Sequence, residues 1–171
     1  MPGSSWRDRR ANRQVQTFTR LAIGLAVLTA SCGTEQASDA VPVACDAVAP
    51  EVVEAIIGPF ESTAFEVERL SECRWTATDT EPGSQADGTP AEIVLQFEAV
   101  PDAELFVTHS IEGTPSDRVV EVDVGEQGVV FTGEAALARQ GSHIAMVTGT
   151  VADTAELVPV LAAATDYLAD L

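Results

Sequence analysis

Cys32 constrains this chain more than any other residue, because it sets how much of the sequence is left to fold. It ends the run Leu28-Thr29-Ala30-Ser31-Cys32, in which small side chains lead into a cysteine. Before it come Arg7, Arg9, Arg10, Arg13 and Arg20, then the uncharged apolar residues 21–30 (LAIGLAVLTA). A membrane-spanning helix needs about 20 such residues, so this run is too short to span. A basic start, a short apolar centre and small residues at the exit are the three parts of an export signal. The expectation is that residues 1–31 are removed, that Cys32 becomes the lipid-modified first residue, and that residues 32–44 form a flexible tether. Thr29 stands three before the cysteine, where Leu is commonest, with Leu28 one place further out. The alternative is an ordinary secretory signal. A twin-arginine route through Arg9-Arg10 would lack the apolar pair that usually follows.

The cysteine count points the same way. Three cysteines in an exported chain leave one without a partner unless it has another fate. If Cys32 takes a lipid, Cys45 and Cys73 remain to pair, in a compartment that permits disulfides. Their loop of about 29 residues would contribute roughly 3.5 kcal/mol in the chain-entropy picture. A pair of free thiols is the alternative.

Charge narrows the partners. Beyond residue 31 only four arginines face 26 acidic residues, a net of about −22, and the whole chain contains no lysine. Such a surface cannot neutralise nucleic-acid phosphates and is repelled by anionic headgroups, so nucleic acid is excluded and the lipid must supply the membrane attachment. Solubility is the plainer explanation of the acidity, ahead of dedicated cation binding.

The remaining residues, 45–171, suit one domain. Residues 47–58 read as a short helix, with Pro50 and Glu51 in its first turn and Gly58-Pro59 as its stop. Strands are expected at 65–69 and 73–78, then at 92–100, where Ile93, Leu95, Phe97 and Ala99 share one face. One or two helical turns follow at 101–109, and further strands at 118–123, 128–132, 135–139 and 143–150. Gln140-Gly141-Ser142 supplies a hairpin turn. Residues 153–171 read as a closing helix with Asp153 as N-cap, Glu156 as its capping-box partner, Pro159 as a possible kink, and an apolar stripe of Leu157, Val160, Leu161, Ala164 and Leu168. The expected fold class is α+β: an antiparallel sheet with an N-terminal short helix and a C-terminal helix packed on one face.

Cys45-Asp46 before a helix that ends at Gly58, followed by Cys73-Arg74-Trp75, resembles a family of secreted actinobacterial lipoproteins grouped as a domain of unknown function. Val124-Gly125 ahead of residues 128–131 and the closing helix also fit, so the resemblance covers roughly residues 43–170. It implies the same disulfide and an extracytoplasmic, membrane-anchored address. The chain departs from the family at Ala49, where Ser or Thr often caps the helix, at a cost of roughly 1 kcal/mol. Trp75 shares a strand face with Cys73 and is expected to cover the disulfide. The family has no established catalytic residues to carry over.

Candidate chemistry is sparse. His109 and His143 have no second His or free Cys at ligand spacing, which disfavours soft metals, and His143 is expected at the surface. Asp79, Glu81 and Asp87 share the apolar-free loop 79–90 and form a candidate Ca²⁺ loop, without the spacing of a known calcium motif. Ser142 and His143 are adjacent, so on a strand they would face opposite ways. No catalytic residue and no cofactor is therefore expected. The leading expectation is a non-catalytic, membrane-tethered binding or interaction module of the cell envelope, with either a protein partner or a hydrophobic ligand left open. The alternatives are a carrier holding a hydrophobic or lipid ligand between the sheet and the closing helix, and a cell-wall or glycan hydrolase.

Overall fold

The computed structural model describes residues 41–79 and 89–171. A 3-10 turn at Ala44–Asp46 leads into α1, Pro50–Ile57. Pro50 occupies the first turn, where its missing N–H removes no helical bond, and the apolar spacing turns Val53 and Ile57 into the core. Gly58 ends the helix at φ 74°, with its N–H donating to the Glu54 carbonyl at 2.9 Å. A residue with a Cβ is disfavoured at that angle.

Seven antiparallel strands follow: β1 Phe60–Val67, β2 Leu70–Ala77, β3 Glu92–Ala99, β4 Val119–Val122, β5 Gln127–Phe131, β6 Ala135–Gln140 and β7 His143–Gly149. Their order is β1-β2-β3-β7-β6-β5-β4, so two meanders meet where β3 pairs with β7. β1 begins five residues before the expected strand. Arg69 is not in a strand but forms, with Glu68, the two-residue turn into β2. The strand starts at once because Gly58-Pro59 breaks the helix and Phe60 then pairs opposite Ala77.

One face of the sheet, here the front, carries Cys73, Trp75, Ile93, Leu95, Phe97, Ala136, Ala138 and Val147. The helix α1 and the closing helix α3, Val158–Ala169, pack on it, as the α+β reading requires. Phe97 stacks on Tyr167 of α3 with ring centroids 6.4 Å apart. The closing segment enters through a separate 3-10 turn, Thr154–Leu157, capped by Asp153, whose Oδ1 accepts from Ala155 N at 2.9 Å. Pro159 therefore lies in the first turn of α3 rather than kinking a continuous helix.

The helix α2, Ala103–Glu112, lies on the opposite face and runs three residues beyond its expected end. Topology explains the placement. The chain leaves β3 in mid-sheet and must reach the far edge before β4 can begin, and α2 makes that crossing over the back. Ala103 and Val107 bury there against Val129, Phe131, Leu137 and Ile144. Two glycines permit close backbone approach near β5: a Cβ on Gly125 (φ 62°) would sit 2.7 Å from the Arg139 carbonyl oxygen, and one on Gly128 2.6 Å from that of Val124.

Candidate functional site

The disulfide Cys45–Cys73 forms, with Cα atoms 4.9 Å apart. It ties the first 3-10 turn to the middle of β2. A second tie lies beside it: the Ser71 hydroxyl oxygen, buried, accepts from Ala44 N at 2.8 Å. Ala44, at the end of the expected tether, is itself fully buried. Trp75 is buried in the same front-face cluster as Cys73.

That clamp holds a hairpin whose outer strand none of the described residues covers. Every residue of β1 after Phe60 is exposed, and Phe65 and Val67 are each 53% exposed. Both lie on the back face, where α2 covers only the β5–β7 half of the sheet. The register settles which backbone groups are free. Pro59 O accepts from Thr78 N at 2.8 Å, and Val67 and Leu70 flank the two-residue turn. Hydrogen-bonded pairs alternate along an antiparallel ladder, so Glu61, Thr63, Phe65 and Val67 direct their N–H and C=O groups toward β2. Phe60, Ser62, Ala64 and Glu66 direct theirs outward, off the sheet.

Polar side chains pave the back face beside this edge. Glu72, opposite Phe65, accepts from the Gln96 amide at 2.8 Å, and Arg74 spans Glu72 and Glu92 at 3.2 Å each. The Gln96 hydrogen bond first, then Arg74, holds the Glu72 carboxyl below its ordinary value of 4.5, against the opposing effect of burial. The other arginines of the described residues are engaged elsewhere: Arg69 donates to the Ala99 carbonyl at 2.9 Å, Arg118 pairs with Glu134 at 2.8 Å and Arg139 with Glu126 at 2.6 Å. Glu61, Glu66 and Glu68, on or next to β1, have no ion-pair partner among the described residues.

At the other end of the sheet, a cleft of about 680 Å³ opens between the end of α2 and β4, lined by Ile111, Val119 and Val120 with Glu112 and Glu121. A smaller one of about 260 Å³ shares Ile111 and Glu121 and adds Glu126. These carboxylates are all exposed.

The other expected site residues scatter. Cys32, Glu81 and Asp87 lie outside the described residues, and Asp79 is exposed just past β2. Among the described residues no three His, Cys, Asp or Glu side chains gather as a metal would need. His109 is exposed in the last turn of α2. His143, expected at the surface, is half-buried at the start of β7, with its Nε2 shielded and without a hydrogen-bond partner. The stripe Leu157, Val160, Leu161 and Ala164 is at most 1% exposed and packs into the front core. No helix of the described residues is long and apolar enough to cross a membrane. The β1 edge escaped sequence reading because its residues alternate too weakly to reveal which face, or which backbone groups, stay open. No family profile, curated protein or solved structure matches this chain.

Proposed function

We propose that this chain is a lipid-anchored, extracytoplasmic interaction module of the cell envelope that engages a polypeptide through the outer edge of β1. The anchor rests on the export signal and Cys32. The binding role rests on one observation: an eight-residue edge strand, clamped from behind by a disulfide, leaves its outward backbone groups and two large apolar side chains exposed. Long edges are ordinarily shortened or covered and β1 is neither, although it carries Glu61 and Glu66; bound partners use such edges by adding a strand. Phe65 and Val67 give the added strand apolar surface, while the backbone supplies its hydrogen bonds.

Two measurements test the reading. Intact-mass analysis of membrane-extracted protein is expected to show loss of residues 1–31 and a diacylglyceryl adduct, and Cys32→Ala is expected to release the protein from membranes. Hydrogen exchange on the domain mixed with solubilised envelope is expected to slow the outward amides of Ser62, Ala64 and Glu66. Protection confined to α2 and β4 would instead favour a carrier using the cleft there, whose 680 Å³ falls within the range of about 300–1,000 Å³ typical of small-molecule sites. Native mass spectrometry of the purified protein at its bare mass would count against that second reading.

A further inference from the structure

We infer that the segment added to β1 is an extended, cationic stretch of a partner chain, with basic residues placed opposite Glu61 and Glu66 and apolar ones opposite Phe65 and Val67. This inference rests on the edge-strand reading above and specifies its chemistry.

The carboxylates carry the argument. Glu61 projects to the back face, because its neighbour Thr76 lies there, and Glu66 to the front beside Ser71. Both flank the free edge, Glu68 follows in the turn, and all three are exposed. Every arginine of the described residues is committed elsewhere, to a carbonyl or a carboxylate, and the chain has no lysine at all. Once residues 1–31 are removed with their five arginines, a cation that pairs with this edge comes from another molecule. A second copy of this domain would bring the same negative excess to this edge, and two such acidic surfaces repel each other. A basic segment gains the opposite sign at each place.

The pattern along β1 then writes the partner's pattern. Running antiparallel from Val67 back to Phe60, the added strand has an apolar residue opposite Val67, a base opposite Glu66 and an apolar residue opposite Phe65. Small residues face Ala64, Thr63 and Ser62, and a second base faces Glu61. Adding this strand changes none of the bonds between β1 and β2.

The probe is a blocked octapeptide, Val-Lys-Val-Thr-Thr-Thr-Lys-Val, compared with the same peptide carrying Glu in place of both Lys. Binding is followed by the exchange rates of the Ser62, Ala64 and Glu66 amides and by calorimetry. The lysine peptide is expected to bind at least about tenfold more tightly than its acidic twin, and to weaken as salt rises. The double variant Glu61→Lys, Glu66→Lys changes only exposed side chains and is expected to reverse the preference. Ala64→Pro, which removes an outward N–H, is expected to abolish binding while circular dichroism stays native. Equal affinity for the two peptides, or an unreversed preference in the double variant, would overturn the inference. So would a dimer in sedimentation that Ala64→Pro dissolves, since the occupant would then be a second copy. If envelope material protects β1 while the charge preference is missing, the partner chemistry fails and the edge-strand reading stands.

Discussion

The two edges of the sheet receive opposite treatment. β4 is four residues long, and Val119 tucks against the back-face cluster beneath α2. β1 is twice as long and exposed beyond its first residue, yet it is anchored through β2 by a disulfide and a buried hydrogen bond. Short length limits what can pair with one edge, and a rigid backing preserves the other as a surface. The difference teaches that exposure of β1 does not reflect a loosely held end of the fold.

Removing the disulfide should damage that difference most. The Cys45→Ala, Cys73→Ala variant is expected to lose about 3 to 4 kcal/mol. Its first amides to exchange should be those of β1 and β2, with β5–β7 protected longer; uniform loss of protection would mean that the clamp serves the whole sheet.

A proline pair probes the ladder itself. Thr63→Pro removes a donor that bonds to β2 and should cost about 2 to 3 kcal/mol in denaturant melts, whereas Ala64→Pro should stay within about 0.5 kcal/mol. Equal costs at the two neighbouring positions would show that the outward and inward groups are assigned the wrong way round.

Ser71→Ala leaves the Ala44 N–H buried without an acceptor, and about 1 to 2 kcal/mol should be lost. The effect is expected to add poorly to that of the disulfide, because both tie the same turn to the same strand.

The smallest expected effect concerns pH. Glu72 has its folded pKa depressed below 4.5, so its contribution to stability is present above about pH 4.5 and fades as pH falls through the folded value. Glu72→Gln should flatten that part of the melting-temperature profile, lowering stability slightly at neutral pH and matching the native chain once pH falls below the folded value. An unaltered acid limb would place the coupling in other carboxylates.

Much of the scaffold was legible from local pattern. Alternation in Glu92–Ala99 marked β3, Pro50 and Gly58 bracketed α1, and Cys45 and Cys73 pair as expected once Cys32 is set aside. The candidate site was legible only in pieces. Phe65 was placed on a strand, but the strand's start, the turn at Arg69 and the free edge follow from pairing with β2, which local sequence does not encode. The carboxylates of β1 look like ordinary solvated charge until the four arginines around the sheet are seen to be occupied.

The sequence by itself determined the element types and the α+β class, because helical and strand periodicities are properties of neighbouring residues, while the thiol count only pointed to the Cys45–Cys73 pair. Tertiary structure alone decided the rest. It placed β7 between β3 and β6, sent α2 over the back to reach the far edge, half-buried His143 and left β1 exposed. Those outcomes depend on contacts between residues far apart in the chain, where the gain from burying one surface fixes which other surface must remain open.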